Sequence, residues 1–564
     1  MKKIIKYLFL ALFAGFTMVS CDFLDVVPAE KASDKDAFSS PKAAERFLYS
    51  CYGYIPQINM VQTCLDFSGD EIISPFTQES YVKFAEGVYT SGNLIISYWN
   101  DLFLGIRQCY LLKKNITSVP RIDQATIDSY VAQADFLIAY FHMLLIKCYG
   151  PVVLVKELPV LDTPKDNLLG RPSYDECVQW TCDMFDDAAR RLPATRTGSE
   201  YGLATSVAAK ALKARLLLYA ASPLFNGNTE YYSDFVNTDG SSLMPLSYDE
   251  NKWKKAADAA LEAINLAESN GYSLYEMREG DLSGYPEPQD LTQRTLRFTF
   301  MDKDNSKEVL FAETRKAGAY GLQPKSLPYL SDGSWNGVAP TLTMVERFYT
   351  KNGLPIDEDP KYYTPGDYFK IGQYEGRTTC NLNLKREPRF YSWVSFHNGY
   401  FEMQREGYNE GRIVTMFRKS DNHGKQNRST DFSLSGYLVK KWCTPTYDTR
   451  NGFQNYPWPV IRLGELYLNL AEAAAEAGEL NIAKTALNKI REHAGIPTVE
   501  KSWEGIATLT KDKLIEIIRQ ERIIELSFEG HYRWDMARWK ELEHVLDHNP
   551  SALNTDGVSD EDFF

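Results

Sequence analysis

What this sequence lacks narrows its function first. It has no H-E-x-x-H, no G-x-S-x-G, no P-loop and no dinucleotide-binding G-x-G-x-x-G. Zinc peptidase, serine hydrolase and nucleotide chemistries therefore lack their usual carriers. Histidine is scarce, and five of the seven are scattered: His142, His397, His423, His493 and His531. His142 falls within a helical pattern and reads as a core or rim residue. His544 and His548 are four apart, but no Glu stands between them and Asn549-Pro550 follows; they read as a solvated helix end. Nine cysteines include no C-x-x-C and no His/Cys group at zinc spacing, so no metal site is expected and no disulfide pairing follows from spacing. A basic excess is also missing. The formal net charge is −13, a poor match to nucleic acid or to an anionic surface. Past residue 20, no run reads as long and apolar enough to span a bilayer.

What is present begins at the N-terminus. Lys2, Lys3 and Lys6 precede an apolar run from Tyr7 to Val19, closed by Ser20-Cys21. A helix needs roughly 20 apolar residues to cross a hydrocarbon core, so this run reads as a signal peptide, residues 1–20. Ser20-Cys21 resembles a bacterial lipobox, which implies lipidation of Cys21 and cleavage before it. Two or more acyl chains give stable anchoring. Removing residues 1–20 takes away three lysines and no acids, which leaves 59 basic and 75 acidic residues, a net charge of −16. Residues 21–40 read as an extended arm leading from the lipid.

Helical periodicity dominates the next stretch, 41–275. Pro41 suits a first helical turn and precedes Ala43, Phe47, Leu48 and Cys51. Further helices are predicted over 99–116, 126–148, 172–192, 203–222 and 249–268. Trp99 opens the first of these on its apolar stripe and is expected in the core. Cys148 is expected as a small buried hydrophobe. Alanines recur at helical steps, as at Ala204, Ala208 and Ala211, and suit close-packed helical hairpins like tetratricopeptide repeats, without a clean 34-residue period. Between 276 and 455 Gly, Pro, Asn and Tyr crowd in and periodicity fades. Short β-like runs stand out at 309–311 and 390–394. Helices return from 456 to 564, over 461–477, 480–493 and 511–528. The expected fold is mainly α: a TPR-like helical-hairpin scaffold with a loop-rich insertion containing short β-strands.

Several stretches together resemble the SusD/RagB family of nutrient-binding outer-membrane lipoproteins. They are Cys21-Asp22-Phe23-Leu24-Asp25 with Pro28; Ala134 to Gly150-Pro151; Gly202-Leu203-Ala204-Thr205 with Arg215; and Arg386-Glu387-Pro388-Arg389. At the end stand Arg462, Glu465 to Leu468, Glu521-Arg522, Glu525-Leu526, Glu529-Gly530, Arg533-Trp534-Asp535 and Arg538-Trp539. The resemblance covers the whole mature chain. It implies a cell-surface protein on the outer membrane that captures oligo- or polysaccharide and delivers it to a SusC-like TonB-dependent transporter. It also implies no catalysis and no cofactor. A peptide-binding RagB-like uptake protein, a transporter-gating scaffold with little affinity of its own, and a surface glycoside hydrolase are the alternatives.

Two sets of residues follow as candidates. Glu521, Arg522, Glu525, Glu529, Arg533, Asp535 and Arg538 could suggest acid/base catalysis, but carboxylates on an apolar helix stripe need partners, and arginines supply them. They are expected to form an ion-pair network locking the last helices. Sugar capture needs aromatic faces and hydrogen-bonding groups on loops held by a rigid scaffold. Asp70, Phe76, Tyr81, Tyr98 and Asn100 in one loop, and Tyr320, Tyr329, Asp332, Trp335 and Asn336 in another, meet that description. Trp335, between Gly333-Ser334 and Asn336-Gly337, is the strongest single candidate.

Overall fold

The computed structural model describes residues 34–564, apart from 61–63, 161, 165–166, 279, 281–287, 300, 331–332, 404–410 and 446–454. Cys21 and Asp332 therefore lie outside the described residues. Among the described residues, six long helices come first, with shorter ones between them: α1 (Pro41–Tyr52), α2 (Trp99–Asn115), α3 (Gln124–Tyr149), α4 (Tyr174–Arg191), α5 (Ser206–Ala221) and α6 (Asn251–Ser269). Local chemistry sets their starts. Ser40, Asp123 and Thr205 each accept a hydrogen bond from a first-turn backbone N–H, and Ser173 with Glu176 forms a reciprocal capping box. Each helix packs on the next, from α1 to α6. Alanines make that possible: Ala208, Ala211 and Ala214 of α5 and Ala260 and Ala263 of α6 are wholly buried.

Helix α3 corrects one expectation. It is long and apolar enough to cross a membrane by length and composition, yet most of it is buried inside the protein. Its polar residues are paired there. Asp135 meets Lys113 at 2.5 Å and Arg191 at 2.9 Å, and His142 bonds Ile138 O and the Val155 N–H. Trp99 corrects another: it is 37% exposed at the start of α2. Cys148 is half-buried, and the eight described cysteines are all free.

The middle of the chain contributes α7 (Leu291–Phe298), α8 (Pro388–Trp393) and most of ten short strands: β1 (Ile72–Ile73), β2 (Val309–Glu313), β3 (Ala339–Pro340), β4 (Ile371–Tyr374), β5 (Arg377–Cys380), β6 (Val394–Ser395), β7 (Tyr400–Glu402), β8 (Arg412–Val414), β9 (Leu438–Val439) and β10 (Trp458–Arg462). They pair antiparallel as β1–β3, β2–β10, β4–β5, β6–β9 and β7–β8. Residues 390–394 are not a strand: 390–393 close α8 and only Val394 is extended. Pro388 stands in the first helical turn, where its missing N–H costs nothing. Phe390 and Trp393, three apart, then bury one helix face.

The chain then adds α9 (Leu463–Glu476), α10 (Leu480–His493), α11 (Lys511–Glu525) and α12 (Tyr532–Arg538). Helix α9 packs on α6 and also against α10 and α11, so the C-terminal helices extend the N-terminal stack. One apolar core runs through this stack. A second gathers residues 64–81, 296–458 and 494–563 around Trp393, Trp442, Phe390 and Phe528.

Candidate functional site

The loop bearing Trp335 is shaped by its backbone. The Trp335 N–H donates to Pro324 O at 2.8 Å, that of Asn336 to Leu327 O at 2.9 Å, and those of Gly337 and Val338 to Lys325 O at 2.9 and 3.0 Å. Asn336 sits at φ +51°, a conformation Asn tolerates. Its side-chain amide donates to His423 O at 2.8 Å and Asp431 O at 3.3 Å. Beneath the loop, Lys325 Nζ meets Glu79 Oε1 at 2.5 Å, both side chains buried. Burial outweighs that pairing and lowers the Lys325 pKa.

On this base stands a group of rings. The half-buried Trp335 meets Phe76 edge-on at 5.7 Å and Tyr320 at 6.0 Å. Tyr320 is 53% exposed. Tyr329 is half-buried, and the Arg428 guanidinium lies 3.7 Å from its ring centroid. Tyr320 and Trp335 thus form an aromatic face that keeps accessible surface, and Tyr329 with Arg428 forms a cation–ring pair. The indole is presented by the loop pinned at 335–338, and the Tyr320 phenol comes from the turn Gly318–Tyr320.

The predicted ligand residues divide accordingly. Tyr320, Tyr329 and Trp335 retain accessible surface. Asp70, Phe76, Tyr81 and Asn336 are at most 5% exposed, so as placed they offer a ligand no surface. They support the site from within: Phe76 backs Trp335, and Asp70 O accepts from the Thr341 hydroxyl beside β3. Burial raises the Asp70 carboxyl above its ordinary range. Tyr98 and Asn100 stand elsewhere, at the start of α2. The half-buried Tyr98 accepts from the Leu65 N–H at 3.3 Å and donates its own N–H to the Tyr149 hydroxyl. Asn100 is exposed next to Trp99. Arg428 and the Lys325–Glu79 pair were not foreseen; both connect residues far apart in sequence, and no local pattern marks them.

The C-terminal charges assemble into a buried lattice. Arg389 reaches Glu387, Glu521 and Glu525 at 2.6–2.9 Å. Arg462 reaches Glu308, Glu525 and Glu529 at 2.7–3.0 Å. Arg491 holds Glu521 at 2.9 Å and Lys441 holds Glu529 at 2.7 Å. A second group joins Arg522 to Asp535, Asp535 to Arg538, and Arg538 to Glu472 through two 2.6 Å bonds. Despite burial, these partners hold Glu525 and Glu472 down to about 2. Carboxylates so committed have no proton to exchange near neutrality. Arg533 departs from the expectation. It donates to Ser68 O and lies over Phe84, because a residue two before Asp535 points from the opposite side of α12.

Two hollows of about 440 and 420 Å³ lie elsewhere, one lined by Tyr149, Phe225 and Trp534, the other by Tyr248 and Lys540. Neither is lined by a predicted ligand residue.

Comparisons with known proteins agree along the chain. Residues 306–563 match the model of the SusD family, and residues 22–218 match one described as starch-binding associating with outer membrane. The solved structure of BT4246 is 30% identical, with 93% of each chain covered and a TM-score of 0.82. A SusD-like protein (BF3747) from Bacteroides fragilis NCTC 9343 is 22% identical, covering 93% of this chain and 91% of its own, with a TM-score of 0.71. A SusD-like carbohydrate binding protein (BF0978) from the same strain is 20% identical, covering 92% and 90%, with a TM-score of 0.63. None of the curated proteins matches the chain.

Proposed function

This chain belongs to the SusD/RagB family, and on that premise we propose that it captures a glycan on the aromatic face around Trp335 and hands it to a TonB-dependent transporter in the outer membrane. Membership itself makes it a glycan-binding protein of the SusD type that associates with that membrane. The observation that carries the site is the cluster of exposed Tyr320, half-buried Trp335 and buried Phe76, with Trp335 on a loop pinned by four backbone hydrogen bonds. Aromatic faces suit the apolar side of a sugar ring. A panel of polysaccharides tests it. Retention without release of shorter sugars supports capture, and Trp335→Ala and Tyr320→Ala should weaken retention. Cleavage by the pure protein would mean a hydrolase instead.

Anchoring and hand-off belong to the same proposal. Lipid on Cys21 would hold the chain at the outer face of the membrane, and Cys21→Ala should release it from the membrane fraction. For the transporter, the region from 88 to 169 supplies exposed apolar side chains: Val88, Leu94, Trp99, Leu104, Val160 and Leu168. Trp99 meets Tyr149 edge-on at 5.2 Å, and Arg107 of α2 donates to Pro159 O, which ties this helix to the neighbouring loops. Exposed apolar surface of this kind suits a protein partner. Leu104→Glu should abolish co-purification with the transporter while polysaccharide retention is unchanged; undiminished co-purification would move the interface elsewhere.

A further inference from the structure

A cavity of about 150 Å³ lies among the hairpins β4–β5 and β7–β8 and the start of α7. It shares no lining residue with the Trp335 loop. One wall is aromatic. Tyr374 meets Tyr391 at 5.6 Å nearly parallel, Phe396 edge-on at 5.2 Å and Tyr400 at 6.3 Å. The Arg412 guanidinium lies 3.7 Å from the Tyr400 ring centroid. The opposite wall is polar. Lys440 Nζ lies 3.1 Å from both Glu402 oxygens and donates to Tyr400 O at 3.0 Å, while Arg297 Nε approaches Glu402 at 3.4 Å. Asp290 and Gln293 close the rim.

Three polar groups lining this space are uncommitted. The Gln293 side-chain amide and the hydroxyls of Tyr374 and Tyr400 make no hydrogen bond among the described residues. All three are on half-buried residues. Donors, acceptors and ring faces thus converge within one small volume. An apolar occupant would strip water from Lys440 and Glu402 without replacing it. A simple anion would meet the carboxylates of Glu402 and Asp290. What satisfies every wall is a neutral ring with one apolar face and several hydroxyls. The volume lies below the range of drug-sized sites, which fits one ring rather than a chain.

We infer that this cavity is a second saccharide subsite, taking a single neutral sugar ring, and that the chain therefore grips a polysaccharide at two points. The inference rests on the glycan-capture reading. The two points are held in fixed relation: the Val439 N–H, one residue before Lys440, donates to Val338 O, three residues after Trp335, at 3.2 Å. Simultaneous engagement raises the effective concentration at the second point, with gains on the order of a hundredfold or more.

The test uses the full chain and four probes: glucose, galactose, mannose and N-acetylglucosamine at millimolar concentration, followed by titration calorimetry or ligand-observed NMR. At least one should bind both the wild type and Trp335→Ala. Gln293→Ala and Tyr374→Phe remove only uncommitted groups, so the fold is kept. Each should weaken that binding about fivefold, the worth of one hydrogen bond, and should weaken retention of a polysaccharide in an affinity gel. The inference is overturned if no probe binds Trp335→Ala, or if both Gln293→Ala and Tyr374→Phe bind as the wild type does. The Trp335 reading fails separately, if Trp335→Ala retains polysaccharide normally.

Discussion

Gly337 is the smallest residue on which the aromatic face depends. A β-carbon there would lie 2.5 Å from two carbons of the Phe76 ring, closer than any packing allows. Gly337→Ala should therefore push Phe76 and Trp335 apart, and overpacking of this kind costs about 1–3 kcal/mol. Circular dichroism melts should show the loss, and polysaccharide retention should fall with it; a normal melt with normal retention would show that the rings are not held by this contact. Trp335→Ala differs, since the side chain is only half-buried. Removing an aromatic contact worth about 0.5–1.5 kcal/mol should weaken retention about two- to twelvefold with little change in melting. The sequence marks the turn that carries Trp335, because Gly333, Ser334, Asn336 and Gly337 flank it. It cannot separate Tyr320 from Phe76 by accessibility. That distinction arises from pairings such as Lys325 with Glu79, some 246 residues apart.

At the scale of elements, the buried arginines decide how the last helices meet. Arg462 ends β10 and, through one guanidinium, joins Glu308 beside β2 to Glu525 at the end of α11 and to Glu529. Arg462→Met would leave three buried carboxylates short of a cation. Breaking one side of a buried pair costs about 3–5 kcal/mol, and urea unfolding should show a loss of that size. Arg190→Ala, which removes only an exposed i,i+3 pair with Asp187, should cost under about 1 kcal/mol. Equal losses from the two would contradict a structural role for the network. Helix positions were legible because amphipathic spacing is local, and even Glu521 on an apolar stripe implied a partner. The partners were not legible. Arg389 and Arg491 come from α8 and α10, and residues 390–394 read as a strand because β-branched and aromatic content outweighed the single helix signal at Pro388.

For the whole molecule, four histidines weaken the fold as the pH falls. His142, His397 and His423 are each lowered to about 4, burial being the largest cause, and His531 is held well below its ordinary 6.5 by burial and by Arg215 and Arg522. In each the folded state disfavours the charged form. His142 shows why: Nε2 accepts the Val155 N–H, so a proton there would break that bond. The sign follows. Above pH 6.5 these imidazoles are neutral, folded or unfolded, and the stabilisation is complete. Below 6.5 the unfolded chain takes up protons that the folded chain refuses until about 4, so stability falls across that window. Glu71 acts in the opposite sense. Buried beside Phe528, it is pushed up to about 8 and holds a proton that the unfolded chain releases above its ordinary 4.5. Asp70, Glu346, Glu387 and Glu476 are raised as well, chiefly by burial, and oppose the imidazoles in the same sense as Glu71. The imidazoles' own contribution to the stability measured by urea unfolding falls from pH 6.5 to about 4, each by about 1.4 kcal/mol per pH unit at most. His142→Gln keeps an amide that can accept from Val155 and removes the titration. Whatever it costs at pH 7, it should flatten the slope by roughly one proton. A slope unchanged from the wild type would mean that His142 is already charged in the fold, which the Val155 bond forbids.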